Sequence, residues 1–144
     1  MSENRQIVSM RIEDSKLEQI QVLAARLYIR ESDLYQFAVS YTLNKLTCLM
    51  DNRYSGSDLL PLLLDIREDI NKNLNINKHL LFKIVNTPPN KYVDMIDIEL
   101  LLTPTHLIKE YLHRLGEKTQ DSENAEACLK LYIFKKYNLA LKKK

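Results

Sequence analysis

The chain has 144 residues, 45% of them hydrophobic and 28% charged, which is enough for two small domains that bury their own cores. Gly56 and Gly116 are its only glycines, which excludes the glycine-rich loops of nucleotide-binding enzymes and nucleophile elbows. The formal net charge is +2, and we expect a protein that is not an enzyme and needs no cofactor.

The first predicted element is a short β-strand over residues 7–12. Val8, Met10 and Ile12 occupy alternate positions, which is the period of a strand with one buried face. A lone strand has no partner for its backbone N–H and C=O groups, so we expect it to pair with the same strand of a second chain. This arrangement predicts a homodimer or a higher homo-oligomer.

Two helices are predicted after the strand. Apolar residues recur at helical spacing over residues 16–28. The sequence Arg30-Glu31-Ser32-Asp33 places acids and a serine at the start of a second helix, which is apolar around nearly its whole circumference. We therefore predict an N-terminal domain over residues 1–50.

Residues 51–58 are polar, contain Gly56 and are predicted to form a linker. The remainder, residues 59–144, is predicted to be an all-α C-terminal domain with a basic tail, and its helices are expected over residues 59–73, 77–85, 91–102, 105–115 and 122–141. Residues 93–102 also alternate in part, so a strand there is an alternative. The predicted fold class is mainly α.

Three features of residues 1–46 together resemble the ribbon-helix-helix family of DNA-binding dimers, of the MetJ and Arc type. These are the alternating V-S-M-R-I strand, the amphipathic helix from Lys16 to Tyr28, and the R-E-S-D-L start of the second helix. The resemblance implies that two chains form a two-stranded ribbon that enters the major groove. The implied function is sequence-specific binding of double-stranded DNA, as a transcriptional repressor or a plasmid-type regulator.

The resemblance also implies roles for individual residues. Arg11 is expected to read bases, because its guanidinium group can donate two hydrogen bonds to guanine. Base contacts are carried over to Ile7, Ser9 and Arg11. Phosphate contacts are carried over to Arg5, Lys16, Arg30 and Ser32. The dimer core is expected to contain Val8, Met10, Ile12, Leu34, Phe37, Ala38 and Tyr41.

A function of a different class stays open. Residues 1–50 carry six basic and six acidic side chains, whereas phosphate neutralisation supplies most of the non-specific affinity of DNA-binding proteins. The alternative is a protein-interaction module, antitoxin-like or an adaptor, that uses the ribbon only to dimerise. The C-terminal region is a possible site for a protein partner under either hypothesis.

His106, Glu110 and His113 are spaced i, i+4 and i+7 on one predicted helix, which suits a metal site. Solvated surface histidines are the commoner explanation of such a pattern, and we expect no metal.

The last predicted helix alternates lysines with aromatic residues. One interpretation is a basic aromatic surface for nucleic acid, and the other is a set of core aromatics followed by a solvated lysine tail. The residues concerned are Lys130, Tyr132, Phe134, Lys135, Lys136, Tyr137 and the lysines at 142–144.

The cysteines and the hydropathy pattern bear on the compartment. Cys48 and Cys128 are isolated thiols in helical surroundings, which suits a reducing cytosol. No apolar run approaches the length that crosses a bilayer. We expect a cytoplasmic protein with no membrane partner.

Overall fold

The computed structural model describes residues 5–120 and 122–139. The chain divides into two compact units, and the first ends at Thr47. Within the described ranges, every regular element is helical. None of these helices is both long enough and apolar enough to cross a bilayer.

The N-terminal unit consists of an N-terminal segment, residues 5–13, and two helices. The segment has no regular secondary structure, and it is followed by α1 (Asp14–Leu27) and α2 (Glu31–Lys45). Tyr28, the residue after α1, has a left-handed φ of 56°, and the next N–H, of Ile29, donates to the carbonyl of Ala24 at 3.1 Å. This Schellman-type turn satisfies the last carbonyls of α1 and redirects the chain into α2.

The predicted ribbon-helix-helix fold is wrong for this chain. The described residues contain no β-strand, and residues 7–12 make none of the cross-strand backbone hydrogen bonds that define one. An alternating pattern specifies which side chains would share a face of a strand. The strand itself forms only when its backbone is hydrogen-bonded to a neighbouring strand. The part of the chain that the structure describes is all-helical.

Residues 47–120 and 122–139 contain two 3₁₀ turns, the first of which spans the boundary between the units, and six short α-helices, all of which belong to the C-terminal unit. The turns are Thr47–Met50 and Gly56–Leu59, and the helices are α3 (Leu60–Asp65), α4 (Arg67–Lys72), α5 (Lys78–Val85), α6 (Met95–Leu101), α7 (Thr105–Arg114) and α8 (Ala125–Lys136). The single helix expected over residues 59–73 is interrupted at Ile66, where φ is −105° and ψ is 13°. The alternative of a strand over residues 93–102 is wrong, because α6 occupies most of that range.

Asparagine side chains fix the starts of two of these helices. The Oδ1 of Asn77 accepts a hydrogen bond from Leu80 N–H at 2.9 Å, and the Oδ1 of Asn124 accepts one from Ala127 N–H at 2.7 Å. Each bond satisfies one of the N–H groups that have no partner inside the helix.

The core of the C-terminal unit receives side chains from all six of its helices. Its buried apolar residues are Leu59, Leu60, Leu63, Ile66, Ile70, Leu81, Val85, Val93, Ile98, Leu100, Leu101, Ile108, Leu112, Cys128, Leu129, Ile133 and Phe134. In the described part of the N-terminal unit, the buried apolar residues are Ala24 and Leu34.

Part of the stretch 51–58 packs inside the C-terminal unit. Ser55 and Gly56 are buried, and Gly56 has a left-handed φ of 57°. A Cβ atom at this position would lie 2.0 Å from the carbonyl oxygen of Lys91. The same oxygen accepts the N–H of Ser57 at 2.8 Å, so this close approach is available only to glycine.

Candidate functional site

The N-terminal unit exposes an unusual amount of apolar side chain. Phe37 is 62% exposed and Tyr41 is 56% exposed, and their rings lie on one face of α2 with centroids 6.0 Å apart. The exposed apolar residues of the unit, which we call the apolar surface, are Ile7, Val8, Met10, Val22, Leu23, Leu27, Tyr28, Ile29, Phe37, Val39, Tyr41 and Leu43. Phe37 and Tyr41 are neighbours within this set, and neighbouring exposed apolar side chains are typical of an interaction surface.

The residues predicted for the dimer core have different environments within one chain. Leu34 is buried inside the N-terminal unit, and Ile12 is half-buried. The exposed members of this set are Val8, Met10, Phe37, Ala38 and Tyr41.

The residues predicted to contact bases all lie in the N-terminal segment. Ile7, Ser9 and Arg11 are exposed. Arg5 and Arg11 of the segment, and Lys16 at the start of α1, form no ion pair with any residue that the structure describes. Their positive charges are therefore not neutralised within the described part of the chain.

The start of α2 carries an internal ion pair. The guanidinium group of Arg30 donates to Asp33 from Nε at 3.1 Å and from Nη2 at 3.0 Å, and the same carboxylate accepts the backbone N–H of Arg30 at 3.3 Å. These hydrogen bonds lower the pKa of Asp33 and raise the pKa of Arg30. Ser32 is exposed beside them. A carboxylate thus lies at the helix end where a phosphate contact was predicted, and it repels a phosphate.

The predicted metal residues lie on α7 as the spacing requires, but they make other contacts. The Nε2 of His113 lies 2.9 Å from Thr119 Oγ1, and Glu110 accepts a hydrogen bond from Arg114 at 2.8 Å. His106 is exposed on the first turn. The described residues contain no group of three or more metal-binding side chains.

A buried carboxylate connects α6 to α8 in the C-terminal unit. Asp97 is 0% exposed. It accepts hydrogen bonds from the hydroxyl groups of Tyr132, at 2.8 Å, and Tyr137. The Nζ of Lys136 lies 2.8 Å from Asp97 and 3.0 Å from Asp94. The hydroxyl oxygen of Tyr137 also accepts the backbone N–H of Asp94 at 3.0 Å.

These contacts shift the pKa values of the α8 side chains. Burial raises the pKa of both Tyr132 and Tyr137, and their hydrogen bonds to Asp97 raise it further. Burial alone would lower the pKa of Lys136, but its bonds to Asp97 and Asp94 outweigh that effect and raise it. All three side chains therefore keep their protons at neutral pH, and the arrangement suits structural locking better than proton transfer.

The structure thus assigns the aromatic residues of α8, and Tyr137 directly after it, to packing and hydrogen bonding within the unit. Phe134 is buried, and Tyr132 and Tyr137 bond to Asp97. Lys130 and Lys135 are exposed, whereas the lysines at 142–144 lie outside the described residues.

The sequence reasoning missed Asp97, although one signal was present. Asp97 precedes Leu101 by four residues, so it lies on the buried face of α6. An acid on such a face needs donors to compensate its burial.

Comparison of the chain with protein-family models, with curated proteins and with solved structures found no match.

Proposed function

We propose that this protein is a homodimer that binds double-stranded DNA as a transcriptional repressor or a plasmid-type regulator, in the cytoplasm. In this proposal, the apolar surface of the N-terminal unit joins two copies, and the N-terminal segment of each copy contacts the DNA. The C-terminal unit is then free for higher assembly or for a protein partner.

The exposure of the apolar surface is the observation that carries the dimer. Ordering the backbone costs roughly 1–2 kcal/mol per residue, and within one chain Ala24 and Leu34 are the buried apolar side chains that offset this cost. When two copies associate through a two-fold axis, the apolar surface of each N-terminal unit covers that of the other copy. Because residues 1–50 carry equal numbers of basic and acidic side chains, two copies do not repel each other.

Cations of the N-terminal segment and of the first turn of α1, which form no ion pair with any described residue, support DNA as the ligand. Arg5, Arg11 and Lys16 are exposed, and dimerisation doubles their number on one assembly. Arg11 is the residue that we expect to read bases, through two hydrogen bonds to guanine in the major groove. Ser9 supplies a further donor or acceptor, and Ile7 supplies an apolar contact for a thymine methyl group.

Selection of bound fragments from random duplexes tests this function directly. We expect a repeated motif to be enriched, and we expect affinity to fall steeply with salt. The variant Arg11→Ala should lose at least about tenfold of the preference for the selected site. The matched control is Arg26→Ala, which removes the same charge from an exposed position of α1 and should keep that preference.

The ion pair at the start of α2 favours a second candidate function. Asp33 places a negative charge at the start of α2, and residues 1–50 have no net charge. The apolar surface therefore also fits a protein-interaction module, antitoxin-like or an adaptor. Such a module should dimerise normally, enrich no duplex motif and show no difference between the Arg11→Ala and Arg26→Ala variants.

A further inference from the structure

The C-terminal unit contains an open cavity of about 740 Å³. Its walls come from α4, from the turn between α6 and α7, and from the starts of α7 and α8. Three cations, Arg67, Lys72 and Lys109, and one acid, Glu68, line it among the described residues, and His106 adds an imidazole ring. The volume is in the range of ordinary small-molecule sites.

Arg67 is the buried charged residue of this lining, at 6% exposure. Its Nη1 donates to the carbonyl oxygens of Leu101, at 3.3 Å, and Thr103, at 2.5 Å. Its Nη2 donates to Thr105 Oγ1 at 2.7 Å. These bonds fix the plane of the guanidinium group against the turn between α6 and α7.

The positive charge of Arg67 has no partner of opposite sign within the described residues. Its three acceptors are neutral oxygens, and no described carboxylate lies within ion-pair distance of it. Of its five N–H donors, the Nε–H and one Nη2–H also have no acceptor there. Arginine does not lose its proton in proteins, and buried charges are normally paired. An anion in the cavity would supply the missing counter-charge.

The surroundings favour a phosphate group over a carboxylate. The first turn of α7, a ten-residue helix that begins at Thr105, borders the cavity and adds the positive end of its dipole. The hydroxyl group of Thr105 accepts from Arg67, so its own proton remains available to a ligand. Lys72 and His106 offer further donors, which suits a dianion with several oxygens.

We propose that this cavity binds the phosphate group of a phosphorylated small molecule, with Arg67 as the buried anchor and Lys72 and His106 as outer contacts. The proposal is independent of DNA binding, because every residue in it belongs to the C-terminal unit. The Arg11→Ala variant should therefore bind phosphate as the wild type does.

Calorimetric titration of the full chain with inorganic phosphate tests this proposal, with sodium chloride at equal ionic strength as the reference anion. We expect saturable binding of phosphate and none of chloride. The double variant Lys72→Ala/His106→Ala should bind phosphate at least fivefold more weakly. The matched control is Lys83→Ala/His79→Ala, which removes the same two residue types from exposed positions of α5 and should bind as the wild type does.

Arg67→Lys keeps the charge but loses the planar fork, so it should abolish phosphate binding. If this variant fails to fold, the double variant and its control still decide the question. Equal binding by those two variants, or no difference between phosphate and chloride in the wild type, would overturn the proposal.

Discussion

The two units of this protein differ in how far they bury their apolar side chains. In the C-terminal unit, Leu60, Ile98 and Leu129 are each 0% exposed, and full burial of one such side chain stabilises the fold by roughly 1.5–3 kcal/mol. In the N-terminal unit, Phe37 and Met10 remain 62% and 73% exposed. The C-terminal unit buries a core of its own, whereas the N-terminal unit buries Ala24 and Leu34 and leaves large apolar side chains exposed.

The ion pairs of the two units also differ in how far they are buried. The ion pair of the N-terminal unit, Arg30 with Asp33, is solvated, and pairs of this kind contribute little stability. Lys136 of the C-terminal unit reaches a fully buried carboxylate, Asp97. We therefore expect substitutions in the N-terminal unit to change association, and substitutions in the C-terminal unit to change the free energy of unfolding.

The largest expected effect is on dimerisation. Phe37→Asp places a carboxylate in the proposed interface, where desolvation opposes association. We expect the dimer dissociation constant to rise roughly 100-fold or more, which corresponds to about 3 kcal/mol. Sedimentation velocity over a range of concentrations measures it.

The control for this substitution is Leu131→Asp, at a residue of α8 that is 51% exposed. It introduces the same charge on the other unit, and it should leave the dissociation constant unchanged. A wild-type protein that stays monomeric at high micromolar concentration would contradict the proposed dimer.

The second effect is on the C-terminal unit. Asp97→Asn removes the charge that pairs with Lys136 and weakens two hydrogen bonds from tyrosines, so we expect the free energy of unfolding to fall by roughly 2–4 kcal/mol. Urea denaturation followed by circular dichroism measures it.

Glu99→Gln is the matched control, because Glu99 is also an acid of α6 that pairs with a lysine, Lys78, at 3.2 Å. This pair is exposed, and its loss should cost less than about 1 kcal/mol. Equal effects of the two substitutions would show that burial of Asp97 adds nothing to stability.

The contrast between the units also explains what could be predicted from the sequence. Helical spacing identified α1 and α2 because period and start signals are local properties, and residues 16–28 overlap Asp14–Leu27 closely. Alternation of apolar residues over residues 7–12 is also a local pattern, but it led to the wrong prediction of a strand, since a strand depends on a partner that local spacing does not specify.

Long-range contacts account for what the sequence did not provide. Arg67 bonds to the carbonyls of Leu101 and Thr103, more than thirty residues away, and Asp97 meets Tyr132 at a similar separation. Neither pair has a spacing motif. Helical spacing offered a core position as one interpretation of the aromatic residues of α8, but it could not identify Asp97 as the partner of Tyr132.

The third effect is on the pH dependence of the C-terminal unit. Tyr137→Phe removes a hydroxyl group that donates to Asp97 and accepts the N–H of Asp94, so we expect a loss of roughly 1–2 kcal/mol at neutral pH. Denaturation at a series of pH values measures both this loss and the slope. Tyr111→Phe, at an exposed tyrosine of α7, is the control.

The sign of the pH dependence follows from the raised pKa values of Tyr137 and Lys136. The stability that each contributes is fully present below its ordinary pKa, 10.0 for the tyrosine and 10.5 for the lysine, and is lost as pH rises above that value toward the raised one. The wild type should therefore lose stability above about pH 10. The Tyr137→Phe variant should lose less over the same interval, and a parallel slope in both proteins would argue against this linkage.

The smallest expected effect compares the same turn in the two units. Tyr28 after α1 and Asn138 after α8 both have a left-handed φ, of 56° and 55°, and in each turn the next N–H donates to the carbonyl five residues earlier, Ile29 to Ala24 and Leu139 to Phe134. Asparagine tolerates this conformation, but a bulky residue is strained in it by roughly 1–2 kcal/mol.

Tyr28→Gly should therefore stabilise the N-terminal unit by about 0.5–1 kcal/mol, because the released strain exceeds the entropy that glycine loses on folding. Asn138→Gly should change the C-terminal unit by less than about 0.5 kcal/mol. Urea denaturation at one fixed protein concentration measures both, since dimerisation makes the stability of the N-terminal unit depend on concentration. If Tyr28→Gly instead destabilises the unit, the exposed ring of Tyr28 contributes to the dimer contact, and the variant should also raise the dissociation constant.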